Sequence, residues 1–260
     1  MKVIIPAAGP IALGYGFPKN PKPICLYHYK GEVILERQVR ILNSLELSDI
    51  RVVIGYRKEL IEQFVKEKNL KIELVENPDA AKDDYAKGGW QTFLVSLRKG
   101  LEDVDDDVLI IMGDIYLTHD GLKKLLEDTH RCLSLRDNHA FNIFKIGREF
   151  VPDLRKLSGK GHNARLRDFC DEKGGATTWT GDHDIDVYRQ TDEGMSWALS
   201  HLGIKKKYWN SLPLELKTKL LKLKGVKYET YYGEVLFKIE GYYGNGTNYD
   251  VYGVKFEVTK

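Results

Sequence analysis

The chain has 260 residues, 42% of them hydrophobic and 30% charged, enough to bury one substantial core or a core plus a smaller lobe. Its formal charge of +2 is too small to argue for nucleic acid or a membrane surface as partner, so neither is expected, and apolar runs such as Val108 to Met112 are too short to cross a bilayer. The 3 cysteines, Cys25, Cys132 and Cys170, are widely spaced and odd in number, which suits free thiols in a reducing cytoplasm better than a disulfide framework or a zinc site.

VIIPAAG, from Val3, is an unalternating apolar run ending in small residues, as expected of a strand covered on both faces. A strand this early leaves no room for a cleavable leader, so none is expected. A helix is predicted from Ile34, with Leu35, Val39, Leu42 and Leu45 on one face. IRVVIG from Ile50 reads as the second buried strand, and ELIEQFVKEK from Glu59 as the second helix. KIELV from Lys71 is the third strand, after which Asn77-Pro78 breaks the chain. A third helix is expected from Trp90, opened by Gly88-Gly89; DDVLIIMGD supplies a fourth strand and GLKKLLED, from Gly121, a fourth helix. Strands alternating with helices predict an α/β core around a parallel sheet.

The second half is less regular. RKLSGKGHNARLRDF, from Arg155, is basic and carries two glycines, so it reads as an exposed loop or flap. GMSWALSHLGI, from Gly194, reads as a strand region. LPLELKTKLLKLKG, from Leu212, reads as a helix with Leu216, Leu220 and Leu223 in its periodicity and Gly225 as its cap. The tyrosine-rich tail reads as strands and turns. One domain with an inserted or appended lobe is the simplest organisation.

Two features carry chemistry. In an open α/β sheet, ligands bind beyond the carboxyl ends of the strands, which is where Gly9, Gly14 and Gly16 follow the first strand. Glycines let backbone N–H groups approach phosphate oxygens, and Lys19 and Lys22 can neutralise a polyphosphate. The spacing is neither a Walker loop nor a dinucleotide fingerprint, and a proline-stiffened surface loop is the bland alternative. The second feature is MGDIYL, with Asp114 at the carboxyl end of a central apolar run, a position from which a carboxylate can hold Mg²⁺ against phosphate oxygens; a simple strand-to-loop turn is the alternative there.

VIIPAAG, GYGFPKNPKPI and GEVILERQVRIL together resemble the opening of the nucleotidyltransferases that activate sugar phosphates and phosphocholine. That resemblance implies a Rossmann-like, mixed and mainly parallel sheet of the nucleotide-diphospho-sugar transferase type, flanked by helices and carrying a small substrate lobe. It implies that Ala7, Ala8 and Gly9 line the nucleotide, with Lys22 the first phosphate ligand and Lys19 the second. The chain departs from the family loop: Gly9 runs into Pro-Ile-Ala-Leu, so the second glycine and the arginine are missing at their usual spacing.

Gly113-Asp114 matches the family's metal-bearing Gly-Asp, and Asp250, in NYDV, is the candidate for its second metal aspartate. A rival is GDHDIDVY, in which Asp182, Asp184 and Asp186 alternate around His183, although an exposed hairpin loop is the commoner meaning of such a cluster. More loosely, Gly88, Gly89 and Gln91 occupy the place of the base-reading turn, for which a helix start is the plainer account. SHLGIKKKYW resembles the acceptor-side strand, with Gly203 anchoring the comparison and His201 within it. The 4 tryptophans and 15 tyrosines suit a quaternary ammonium or a sugar ring as well as they suit a core.

The expectation is a cytoplasmic, Mg²⁺-dependent nucleotidyltransferase that joins a nucleoside triphosphate to a phosphorylated small acceptor and releases pyrophosphate. Residues 1–260 would form a single domain, with 1–130 the nucleotide-binding half and 131–260 the acceptor-binding half. A glycosyltransferase using the Asp-X-Asp of GDHDID, and a non-catalytic nucleotide-binding descendant, are the alternatives.

Overall fold

The computed structural model describes residues 1–9, 22–29, 31–80, 92–136, 141–157, 163–179, 185–186, 199, 203–224, 228–231, 234–243 and 247–253. It divides into two compact units. One comprises Met1–Ile11, Lys22–Tyr27 and Glu32–Val187; the other comprises Ala12–Pro21, His28–Gly31 and Tyr188–Lys260.

The apolar runs of the first half become the middle of one sheet because their residues are apolar on both faces. β1 (Lys2–Pro6) buries Val3, Ile4 and Ile5 completely. Two short strands, β2 (His28–Tyr29) and β3 (Glu32–Val33), precede α1 (Ile34–Ser44). Then come β4 (Ile50–Ile54), α2 (Lys58–Glu67), β5 (Glu73–Glu76), α3 (Thr92–Gly100), β6 (Val108–Ile111), β7 (Ile115–Tyr116) and α4 (His119–Glu127). α4 begins two residues before the expected Gly121, because the Thr118 hydroxyl caps it by accepting from the Gly121 N–H at 3.3 Å.

Beyond α4 the chain is more regular than its sequence suggests. β8 (Cys132–Arg136) and β9 (Phe141–Ile146) pair antiparallel, and β10 (Ala176–Trp179) adds parallel to β8. Between them lie α5 (Val151–Arg155) and α6 (Asn163–Glu172). The flap expected from Arg155 is thus corrected over its second part, residues 163–169, to the start of α6. Its signature is the burial of Leu166, Phe169 and Cys170, an i, i+3, i+4 pattern that the surrounding charges disguise.

The seven-stranded sheet has the order β10-β8-β9-β6-β1-β4-β5. β9 runs against both neighbours and every other adjacent pair is parallel, so the sheet is mixed and mainly parallel. α3 packs on β1 and β4, and α6 on β8 and β9. A two-residue strand, β11 (Ile185–Asp186), pairs antiparallel with β7.

In the second unit, β12 (Tyr228–Tyr231), β13 (Glu234–Tyr243) and β14 (Thr247–Gly253) form an antiparallel meander. Its helices, among the described residues, include Lys206–Ser211 and Leu214–Leu223. The latter buries Leu221, while Leu216 and Leu223 are exposed, so the helix faces its unit one position away from the expected stripe. The strand expected from Gly194 is corrected where it is described: Leu199 is helical, and Gly203-Ile204 form a turn and an irregular residue; the rest of that stretch lies outside the described residues. Among the described residues no helix is long and apolar enough to cross a membrane.

Candidate active site at the carboxyl rim of the sheet

Four parallel strands end together, and their first residues beyond the ladder interlock through the backbone. Ala7 donates its N–H to Val53 O at 2.9 Å, Tyr56 donates to Ala8 O at 2.8 Å, and Asn77 donates to Ile54 O at 2.7 Å. Two of these crossings leave little or no room for a side chain. A methyl group on Gly55 would stand 2.8 Å from Ala80 Cβ and Asn77 O and 2.9 Å from Ala8 O; one on Gly113 would stand 3.0 Å from Pro6 O and 3.1 Å from Ala7 Cβ. The turn carrying Asp114 is therefore seated directly on the backbone that leads into Gly9. Ala7 and Ala8 are themselves buried, so the strand delivers main chain rather than side chains to this rim.

Lys22 reaches the same place. A short 3₁₀ turn, Ile24–Leu26, follows it, and its ammonium lies 4.7 Å from the centroid of the Tyr27 ring, a cation–π contact. Under this segment is the Cys25 thiol. Burial pushes its pKa up to about 12, a backbone hydrogen bond opposes the shift, and the charges of Asp114 (upward) and Lys22 (downward) both act on it. One buried sulfur thus feels the carboxylate and the ammonium together.

α1 holds the Asp114 turn from behind. Gln38, fully buried, donates from Nε2 to Met112 O at 3.0 Å and to Ile115 O at 2.9 Å. Arg37 donates from Nε to Leu117 O at 2.7 Å, pairs with Glu32 at 2.8 Å, and lies 3.9 Å from the Tyr116 ring centroid. Across the rim, Asn77 donates to the Ser96 hydroxyl at 2.8 Å and accepts from the Asp79 N–H at 3.2 Å. Neither Gln38 nor Asn77 stands among the site residues expected from sequence, where Asn77 enters only as part of a chain break. The available signal was polarity in the wrong place: Gln38 interrupts the stripe Leu35, Val39, Leu42, and a buried polar side chain needs partners.

No family model matches the chain. Among curated proteins it is 31% identical over 114 residues to the bifunctional protein GlmU of Aquifex aeolicus, covering 44% of this chain and 22% of that one. A second GlmU, from Hydrogenobaculum sp., is 31% identical over 130 residues, covering 48% and 26%. The chain spans about a quarter of the length of these curated relatives.

Among solved structures, the inositol-1-phosphate CTP transferase of T. maritima superposes with a TM-score of 0.54 at 12% identity, covering 85% of this chain and 96% of that one. A nucleotidyl transferase from Methanothermobacter thermautotroptrophicus gives 0.54 at 16%, covering 85% and 98%. The CTP:phosphocholine cytidylyltransferase of Streptococcus pneumoniae gives 0.50 at 15%, covering 72% and 93%. The chain has the nucleotidyltransferase fold.

On that fold the expected site residues divide into three groups. Ala7, Ala8, Gly9, Lys22 and Asp114 belong to the first unit, and the Gly113 contact and the shared influence on Cys25 bring their segments together. Asp250 lies on β14 in the second unit, in register with Glu240. Lys19, Gly88, Gly89, Gln91, Asp182, Asp184 and His201 lie outside the described residues. Asp186 is described, and its position is informative: on β11 it stands opposite Ile115, the residue after Asp114. Among the described residues no group of three or more His, Cys, Asp or Glu could hold a metal ion. Of the aromatic candidates for an acceptor cage, Trp209 is only 4% exposed, with the Lys217 ammonium 5.6 Å from its ring centroid. It is a core residue whose face already meets a cation.

Proposed function

We propose that the protein is a nucleotidyltransferase that moves a nucleoside monophosphate from a triphosphate to a phosphorylated small acceptor. An acceptor phosphate oxygen would bond to the α-phosphorus while the bridge to the β-phosphate breaks, and pyrophosphate would leave with that electron pair. The observation that carries this reading is the seating of Gly113 on Pro6 and Ala7, which gives the Asp114 carboxylate and the Ala-Ala-Gly turn one rim. Backbone around Ala8 and Gly9 would cradle the phosphates, and Lys22 would neutralise charge that grows on the leaving pyrophosphate.

Mg²⁺ fits this donor set, since it is commonly held by one or two carboxylates with substrate phosphates and water completing the shell. Asp114 would be the first of them. For the second, the register of β11 opposite Ile115 supports Asp186 ahead of Asp250. When bound, the ion would screen the triphosphate and draw its oxygens into line. The residues themselves would hold the Asp114 turn in place and supply the ammonium.

The acceptors of the structural relatives, inositol 1-phosphate and phosphocholine by their names, define the class to test, together with sugar 1-phosphates. Each of the four nucleoside triphosphates is incubated with Mg²⁺ and each acceptor, and pyrophosphate is measured. Release is expected for one pairing and should vanish in Asp114→Ala. Asp186→Asn should lose it and Asp250→Asn retain it; the reverse pattern would restore Asp250 as the second carboxylate. Full activity in Asp114→Ala would overturn the assignment, and turnover of a nucleotide sugar without pyrophosphate would replace it with glycosyl transfer.

A further inference from the structure

We propose that Gln38 is a positioning residue that sets where Asp114 stands, an inference that rests on the reading of Asp114 given above. Gln38 occupies the core face of α1, three residues after Leu35 and four before Leu42, all fully buried. A leucine or methionine would serve packing alone. Instead both amide N–H groups are committed to one turn, to Met112 O at 3.0 Å and Ile115 O at 2.9 Å, one on each side of Gly113-Asp114. The turn's own closure, from Ile115 N–H to Met112 O, is long at 3.3 Å, and the two bonds from Gln38 reinforce it.

The Gln38 Oε1 atom has no partner among the described residues. A fold selected only for stability has no reason to bury an amide with an unanswered acceptor, whereas a site that must aim a carboxylate does. α1 also begins where the Lys22 segment ends, with Ile34 donating to Tyr27 O at 3.1 Å. The helix is thus a strut between the segment carrying the cation and the turn carrying the carboxylate. Outer partners that orient a metal-binding side chain change metal affinity by about ten- to a hundredfold when removed.

The test uses Gln38→Met, which keeps length and volume and removes both donors. Two readouts separate positioning from packing: backbone hydrogen exchange over residues 112–117, and the Mg²⁺ concentration that half-saturates the melting shift produced by the preferred nucleoside triphosphate. Exchange at 113–115 should quicken about tenfold, with α1 and the sheet strands unchanged, and half-saturating Mg²⁺ should rise about tenfold while the KM for the acceptor holds. Uniformly faster exchange with an unchanged Mg²⁺ midpoint, or a variant identical to the parent, overturns the inference. Gln38→Asn, which retains the amide one methylene short, should move both readouts in the same direction and stands in if the methionine variant does not fold. Asp114→Asn is the control for the underlying reading: if it titrates with Mg²⁺ as the parent does, the metal assignment fails, while exchange at 113–115 still decides whether Gln38 holds the turn.

Discussion

Gly113 has little room for a side chain, and the reason is the neighbour that makes it useful. A methyl group there meets the Pro6 carbonyl at 3.0 Å and the Ala7 side chain at 3.1 Å, and the Pro6 carbonyl belongs to main chain that β1 cannot move without disturbing its ladder. Gly113→Ala should destabilise the fold by about 1–3 kcal/mol, the usual range for overpacking, as read from urea denaturation. Because the displaced element is the Asp114 turn itself, turnover should fall even at temperatures where the variant is fully folded. Cys25 shows a different property of the same rim. With its pKa pushed up to about 12 by burial, it is a protonated thiol at pH 8 and a poor nucleophile. Alkylation at pH 8 followed by peptide mapping should leave Cys25 unmodified in the native protein and label it in denaturant. Native labelling would contradict the burial on which the site's geometry depends.

At the scale of elements, the sheet has one edge for chemistry and one for charge. The amino ends of the strands carry an ion-pair network. Lys2 meets Asp49 at 2.6 Å and Glu73 at 2.9 Å, Arg51 meets Glu73 at 2.8 Å, and Arg131 bridges Asp107 and Glu149, each at 2.7 Å. Asp107 also accepts the Arg148 N–H at 2.8 Å. It precedes β6 while Asp114 follows it, so the two carboxylates stand at opposite ends of one strand. Asp107→Asn should lower stability by about 1 kcal/mol, as expected for a partly exposed pair with one charged hydrogen bond. It should leave the Mg²⁺ dependence of nucleotide binding unchanged. A shifted Mg²⁺ midpoint would mean that the two edges are not independent. The unread elements also belong to this scale. β8, β9 and α6 were missed because short strands and a charged helix carry weak periodicity, and their apolar residues acquire meaning only against the strands they pack on.

The whole molecule adds these charges into a dependence on pH. The Arg131 guanidinium holds the Asp107 carboxyl below its ordinary value of 3.8, and Arg51, aided by Lys2, holds Glu73 below 4.5, in each case against the opposing effect of burial. Groups depressed on folding contribute stability that is fully present above the unfolded value and is lost as pH falls through the folded one. The urea midpoint should therefore be flat from pH 7 to about 5 as far as these two groups act, and should decline below 4.5, less steeply in high salt because the pairs are partly exposed. A midpoint that rises on acidification through this window would refute the network's contribution.

What the sequence determined by itself is whatever depends on local order. Unbroken apolar runs specify central strands, helical spacing specifies α1 to α4, and a Gly-Asp at a strand's end specifies where a turn and a charge will fall. Those signals were enough for the α/β class and for the turn at Gly113-Asp114. Only the tertiary structure decided that the Asp114 turn is seated on Pro6 and Ala7, that Gln38 grips it through two carbonyls, and that Asp186 stands opposite Ile115. Each of those is a contact between segments some 70 or more residues apart, and no local pattern encodes a distance that the folding of the sheet itself creates.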